Sequence, residues 1–224
     1  MKNIHDMIYD VRLEWEYARF KNLFSRTSGL LPHEHEMSPD SRRSLDDLNR
    51  KRQGLQKSIS ETFAPFKDVC RDCGGVCCYG HGSFYRAIDY WLQRRNGNAP
   101  LPSHAGEKEV RITPQRLYSI LCRFLVTSGG SYDYIKENMK DKEKSPCGFL
   151  TVSGCRLDVS NRPVLCIVWV CPSLRKATNL RSRMRYIELV TQLYIICQRT
   201  ADVIHTEHKA IRGNGRGNGR GSGK

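Results

Sequence analysis

Two tight groups of cysteines constrain this chain more than any other feature of its sequence. Eight of the ten cysteines belong to them, and a long stretch of chain separates the groups. The members are Cys70, Cys73, Cys77 and Cys78 in the first group, and Cys147, Cys155, Cys166 and Cys171 in the second. Thiolates held this closely repel one another unless they bind a cation or oxidise to disulfides. The sequence therefore predicts a metal or cluster site, with all eight cysteines as candidate ligands.

The cellular compartment of the protein decides whether its grouped cysteines are metal ligands or form disulfides. The first residues carry charge every few positions through Glu16 and contain no apolar stretch or cleavage site of the secretory type. We therefore expect a cytoplasmic protein, in whose reducing environment grouped cysteines are ligands more often than disulfides. Disulfides and thiol redox chemistry remain alternatives. The longest apolar run, 164–171, is too short to cross a bilayer, so we expect no membrane partner.

The spacing of the thiols leaves the metal open. Structural zinc and iron–sulfur clusters both take four ligands, and both accept cysteine thiolates. The adjacent pair Cys77 and Cys78 is informative, because successive side chains of an extended segment point to opposite faces. The easier geometry gives each sulfur of this pair to a different centre, or makes one a ligand and the other a supporting group beside the site. Eight cysteines thus make two four-sulfur sites, one cluster with spare thiols, or one site with hydrogen-bonded thiols around it, and the cofactor is zinc or an iron–sulfur cluster.

The same motifs resemble a known family. A Cys-x2-Cys-x3-Cys-Cys group, a Pro-Cys segment and a Gly-Cys-x6-Arg-Pro-x2-Cys segment look like those of the YkgJ-type cysteine-cluster family, which is described as zinc- or iron-chelating. The matching residues are Cys70, Cys73, Cys77, Cys78, Cys147, Cys155, Arg162, Pro163 and Cys166, and Cys171 fits a frequent late cysteine. The resemblance covers about residues 68–172. It implies metal binding in the cytoplasm, although the stretch between the groups is longer here than is usual.

Helical periodicity dominates the rest of the chain and predicts a mainly α fold, with helices packed around a loop-rich cysteine metal-binding core and few or short strands. The first cysteine group is expected in a Gly-rich loop, and the second, within 146–172, in loops and short strands. The predicted helices are 4–25, a helix from Ser41 or Ser44 to about Phe63, 83–95, a helix that begins at Thr113, 131–141, and a long final helix over 174–210.

Apolar residues at steps of three and four define the buried faces of the first and last helices. In the first helix they are Ile4, Met7, Ile8, Val11, Trp15, Ala18 and Phe24. In the last helix they are Met184, Ile187, Val190, Tyr194, Cys197, Ala201 and Ile204. Cys122 and Cys197, outside the two groups, are expected to be small core residues.

We divide the chain into an N-terminal helical segment (1–66), a cysteine-cluster metal-binding domain (67–172), a long helix that packs on the same domain (173–211) and a disordered Gly/Arg tail (212–224). The net charge of +14 is concentrated near the C-terminus, since residues 173–224 hold 11 basic and three acidic side chains. Nucleic acid or another anionic partner would be attracted to this region, with Arg181, Arg183 and Arg185 as candidate contacts.

The leading interpretation is a cytoplasmic metal-binding protein that holds zinc or an iron–sulfur cluster, with a downstream role that the sequence leaves open. One alternative is an iron–sulfur redox protein or enzyme, and another is a zinc-stabilised basic nucleic-acid-binding protein. The sequence contains no Ser-His-Asp arrangement, phosphate-binding Gly loop or dinucleotide fingerprint. We therefore single out no catalytic residue, and enzymatic activity is left undecided.

Overall fold

The computed structural model describes residues 4–27, 37–72, 87–93, 150–151, 154–155, 157–170 and 172–214. The helices are α1 (Ile4–Thr27), α2 (Pro39–Phe63), α3 (Lys67–Asp72), α4 (Ala87–Gln93), α5 (Val164–Val168), α6 (Pro172–Ala177) and α7 (Leu180–Asn214). Short 3₁₀ turns lie at Ala64–Phe66 and Val159–Asn161. Strands β1 (Leu150–Thr151) and β2 (Gly154–Cys155) pair antiparallel. The mainly α expectation is confirmed for these residues. The helices predicted from Thr113 and over 131–141 lie outside them. Of the tail predicted to be disordered over 212–224, residues 212–214 belong to α7, so that prediction was wrong for them, and the rest lies outside the described residues.

Helix α1 buries only part of the predicted face: Ala18 and Phe24 are buried and Met7 and Val11 half-buried, as expected. Ile4, Ile8 and Trp15 are 64%, 57% and 45% exposed, so the predicted face was wrong for these three positions. The buried residues follow their own steps of three and four: Tyr9, Leu13, Glu16, Phe20, Leu23, Phe24 and Thr27. In addition to Phe24, the rings of Tyr9 and Phe20 and the side chains of Leu13 and Leu23 reach the core this way, which removes their apolar surface from water. The polar Glu16 and Thr27 within this stripe concealed it in the sequence.

Helix α2 begins earlier than predicted. Its N-cap is Ser38, not Ser41 or Ser44, and Pro39 occupies the first helical position, where its missing N–H has no cost. The Ser38 hydroxyl accepts a hydrogen bond from the Ser41 N–H at 3.2 Å. Glu207 of α7 clamps this helix end, because its carboxylate accepts from the Ser38 hydroxyl at 2.7 Å, from the Ser38 N–H at 3.2 Å and from the Ser41 hydroxyl.

The chain stays helical where the first cysteine group begins. After α2 it passes through the 3₁₀ turn Ala64–Phe66 into α3, which contains Cys70. The expectation of a Gly-rich loop was therefore wrong for Cys70, and the rest of that group lies outside the described residues. The second group also contains helix. The turn Val159–Asn161 and α5 stand where we predicted loops and short strands, because α5 is a single buried apolar turn, too short to reveal a helical period.

The final helix is interrupted where one continuous helix was predicted. Thr178 and Asn179 separate α6 from α7. The Asn179 side-chain oxygen accepts a hydrogen bond from the Ser182 N–H at 2.9 Å, which is the bond of an N-cap residue. Asn179 therefore starts a new helix, and α6 remains a separate turn directly after Cys171.

Helix α7 is the central element of the packing. It contacts α1, α2 and α4, and α2 also contacts α4, α5 and the turn Val159–Asn161. The core between them includes Phe20, Phe24, Ile59, Ile88, Leu165, Tyr186, Leu193 and Cys197. In the last helix, six of the seven predicted apolar positions are buried or half-buried, and the exception is Met184, which is 58% exposed. Over the described residues, no helix has the length and hydropathy that a membrane span requires.

Candidate metal centre

Three of the eight predicted ligands fall in described segments. Cys70 lies in α3, Cys155 in β2 and Cys166 in α5. The other five lie outside the described residues: Cys73, Cys77, Cys78, Cys147 and Cys171. The side chains of Cys155 and Cys166 are half-buried, unlike the fully buried Cys197. These two residues are therefore not enclosed in the core as completely as Cys197 is.

The helix that contains Cys70 contacts the helix that follows the second cysteine group. Helix α3, with Cys70, lies beside α6, whose first residue, Pro172, follows Cys171, and Cα atoms of the two helices come within 8 Å of one another. This contact joins segments that are far apart in the sequence. Among the residues with described side chains, however, no three of His, Cys, Asp and Glu lie close enough together to hold a metal ion.

A small hairpin carries Cys155. Leu150 of β1 pairs with Cys155 of β2, and Thr151 pairs with Gly154, so the chain reverses direction over a few residues. Leu150, three residues after Cys147 in the sequence, is thereby held beside Cys155. This is the only strand pairing in the part of the chain that the structure describes.

The loop between Cys155 and Cys166 is closed by its own polar groups. Asp158 caps the turn Val159–Asn161 by accepting a hydrogen bond from the Ser160 N–H at 2.8 Å. The Ser160 hydroxyl also donates to this carboxylate and is the main reason that the pKa of Asp158 lies below its ordinary value. Arg162 donates through Nε to the Leu157 carbonyl at 3.2 Å. Arg162, the arginine of the Arg-Pro motif, thus links the end of the turn to Leu157 near the start of the loop.

Side chains also hold the backbone on both sides of Cys171. Buried Tyr186 of α7 donates its hydroxyl to the Val168 carbonyl at 2.6 Å. Arg175 of α6 donates through Nε to the Val170 carbonyl at 2.9 Å. Arg183 of α7 in turn donates to the Arg175 carbonyl at 2.6 Å. Sequence reasoning missed Tyr186 and Arg175 as supporting residues, because nothing in the cysteine spacing refers to them.

An acidic edge of α1 faces these arginines. The guanidinium of Arg175 lies 3.7 Å from the Asp10 carboxylate and 3.6 Å from that of Glu14. Arg183 pairs with Asp6. Helix α1 thereby anchors the segment that follows the second cysteine group, although it is remote from that group in the sequence.

The basic surface predicted at the start of α7 is partly neutralised. Arg183 is paired with Asp6 and is only 13% exposed. Arg185 lies 2.7 Å from Glu188 on the same helix. Two of the three arginines proposed as contacts for an anionic partner are therefore already used in ion pairs, which weakens the nucleic-acid interpretation for this part of the chain.

Cys197 is a core residue, as the sequence predicted. Its side chain is completely buried in the main apolar cluster. Burial raises the pKa of its thiol far above the ordinary value, and the nearby Asp89 charge adds to that effect. Complete enclosure in the apolar cluster and a thiol that stays neutral are properties of a core residue rather than of a ligand. Cys122 lies outside the described residues.

Neither a family model, nor a curated protein, nor a solved structure matches the chain. The resemblance to the YkgJ-type cysteine-cluster family therefore stays a prediction from the motifs.

Proposed function

We propose that this chain is a cytoplasmic metal-binding protein, in which thiolates of both cysteine groups hold zinc or an iron–sulfur cluster. The observation that carries the proposal is the contact between α3 and α6. It joins the helix that contains Cys70 to the helix that follows Cys171. A site that takes ligands from both groups needs a fold that closes the long stretch between them, and this contact provides a closure at their outer ends.

The chemistry of the thiols supports the same proposal. Cys155 and Cys166 are half-buried, so these residues are neither enclosed in the core, like Cys197, nor fully exposed to solvent. Partial burial suits thiolates that a cation neutralises, because an uncompensated thiolate there would lose hydration without a partner. The residues that would hold the metal are Cys70, Cys73, Cys77, Cys78, Cys147, Cys155, Cys166 and Cys171. A bound zinc ion or cluster would supply cross-links that add directly to the free energy of folding.

The choice between zinc and an iron–sulfur cluster determines the class of function. A closed four-thiolate zinc site is structural, whereas an iron–sulfur cluster adds the capacity for electron transfer. The adjacent thiols of Cys77 and Cys78 motivate the redox alternative, together with the number of thiols, because a single structural zinc site needs only four of the eight cysteines. The surrounding helices contribute the scaffold in both cases.

Elemental analysis of protein purified without oxygen tests this proposal. We expect zinc and iron together to reach at least about one equivalent per chain. A colourless, zinc-filled protein would identify a structural site, and visible absorbance with a brown colour would identify a cluster. Less metal than this, with all eight thiols freely reactive towards a thiol reagent, would refute the proposal.

A further inference from the structure

Helix α5, which contains Cys166, begins without a cap of its own. Its N-cap residue is Pro163, which has no side chain that accepts a hydrogen bond. The Val164 N–H that follows is buried, and Val164 itself is completely enclosed. A buried N–H without an acceptor costs about 1–3 kcal/mol, so this helix start needs an acceptor from elsewhere in the fold.

Asp89 of α4 is that acceptor. Its Oδ1 atom lies 2.8 Å from the Val164 nitrogen, and the carboxylate is completely buried. Asp89 interrupts an otherwise apolar helix face on which Ile88, Trp91 and Leu92 are also buried. A charged side chain in such surroundings is costly unless it meets a specific donor. The sequence separation between Asp89 and Val164 means that only the completed fold brings them together.

A second buried polar group holds the residue just before Pro163. Gln56 of α2 donates through Nε2 to the Arg162 carbonyl at 3.0 Å. Arg52, which is also fully buried, donates to Gln56 Oε1 at 2.5 Å and to Asn49 Oδ1 at 2.8 Å. The arginine thus fixes the orientation of the Gln56 amide.

These two contacts specify a backbone position rather than general packing. An apolar side chain in place of Asp89 would leave the buried Val164 N–H without its acceptor, and one in place of Gln56 would remove a donor from the Arg162 carbonyl. What the polar groups add is a fixed place for the backbone from Arg162 to Val164. Cys166 stands two residues after Val164, and its own N–H donates to the Pro163 carbonyl at 3.0 Å. The position of Cys166 therefore depends on Asp89 and Gln56.

We propose that Asp89, together with Gln56, is a positioning residue that fixes the start of α5 and thereby holds the Cys166 thiol in place for metal binding. The expected effect on metal affinity rests on the proposed function, whereas the expected effect on the position of the Cys166 thiol does not. A rigid segment before metal arrives lowers the entropic cost of assembling the ligands, so its loss should weaken metal affinity.

The test compares four variants with the wild type. Asp89→Ala removes the acceptor, and Asp89→Asn keeps an oxygen that accepts from Val164. Gln56→Met removes the hydrogen bond to the Arg162 carbonyl at nearly constant side-chain volume. It replaces Asp89→Ala in the comparison if that variant does not fold. Glu207→Ala is the matched control, because it removes hydrogen bonds from the start of α2, a helix end without cysteines. Three quantities are measured: zinc affinity by competition with a chromophoric chelator, the alkylation rate of Cys166 in metal-free protein, and stability in urea.

We expect Asp89→Ala and Gln56→Met to lower zinc affinity by about tenfold or more. Both should also accelerate alkylation of Cys166 in the metal-free protein. Asp89→Asn should stay within about threefold of the wild type in both measurements. Glu207→Ala should lose stability and keep the zinc affinity and the Cys166 reactivity of the wild type.

Two results would overturn the inference. One is an unchanged alkylation rate of Cys166 in both Asp89→Ala and Gln56→Met. The other is a loss of zinc affinity in Glu207→Ala as large as in those two variants, since a general loss of stability would then explain everything. Wild-type protein that binds no zinc refutes the proposed function instead, and the alkylation rates still decide whether Asp89 positions Cys166.

Discussion

Two buried tyrosines illustrate how differently similar side chains are accommodated in this core. The Tyr186 hydroxyl donates to the Val168 carbonyl at 2.6 Å. The Tyr9 hydroxyl is buried and, among the described residues, has no hydrogen-bond partner. Burial raises the pKa of Tyr9 to about 12 and that of Tyr186 well above its ordinary value. Both rings therefore stay neutral at physiological pH, and their hydroxyls differ only in hydrogen bonding.

Removing the two hydroxyls should have different consequences. Tyr186→Phe leaves the Val168 carbonyl without its donor and should lower the free energy of unfolding by about 1–3 kcal/mol. Tyr9→Phe removes a buried hydroxyl that has no hydrogen-bond partner in the described part of the chain and should be neutral or slightly stabilising. Urea unfolding of the two variants under identical metal loading measures the difference. A Tyr9→Phe variant that is less stable than Tyr186→Phe would contradict this account.

Cysteine reactivity gives a second prediction at the scale of residues. In reduced, metal-free protein, an alkylating reagent should modify half-buried Cys155 and leave Cys197 unmodified until the chain unfolds, because burial raises the pKa of the Cys197 thiol. Peptide mapping by mass spectrometry before and after denaturation measures this. Modification of Cys197 in the native protein as fast as that of Cys155 would show that the core around it is open.

At the scale of elements, the start of α2 is held by a carboxylate of α7. The Ser41 hydroxyl bond is the main reason that the pKa of Glu207 is lowered, and bonds from Ser38 act in the same direction against the effect of burial. Glu207 is therefore bound most favourably when it is ionised. This contact attaches the N-terminus of α2 to α7 and fixes the position of the two helices along each other.

The stability of the protein should depend on pH through this contact. A carboxyl group whose folded pKa lies below its unfolded value of 4.5 stabilises fully above that value and loses the contribution as pH falls through the folded pKa. Glu207→Gln should thus be less stable than wild type at pH 7, with the difference shrinking below about pH 4.5. Glu188→Gln, at an exposed position of α7, is the control. A difference that is constant across this range would exclude Glu207 as the titrating group.

The existence of the long helices could be predicted from the sequence better than their orientation and ends. The period of α2 was visible because its buried Leu45, Leu48 and Ile59 stand among polar residues. The face of α1 was not, since Glu16 lies buried in the middle of it. Its carboxylate is satisfied by Arg19 at 3.1 Å and by the Thr191 hydroxyl at 3.1 Å. The Thr191 bond links two helices and the Arg19 bond lies within α1, and apolar periodicity reveals neither of them. It also does not reveal the single-turn helix α5.

At the scale of the whole molecule, the candidate site could be predicted as a set of residue types and not as a geometry. Cysteine spacing selected eight thiols and correctly left Cys197 in the core. The supports of Cys166, namely Asp89 and Gln56, belong to helices far from it in sequence, so only the fold reveals them. The contact of α3 with α6 could not be predicted from the sequence either, because it depends on how the fold brings these two distant segments together.

The metal content of cysteine variants tests the central claim most directly. Cys73→Ser alters the first group, Cys155→Ser alters the second, and Cys197→Ala is the control from the core. Zinc and iron per chain are measured after purification without oxygen. We predict that Cys197→Ala keeps the metal content of the wild type and that each of the other two retains at most about half of it. Full metal content in both group variants, or a wild-type protein without metal, would contradict the account.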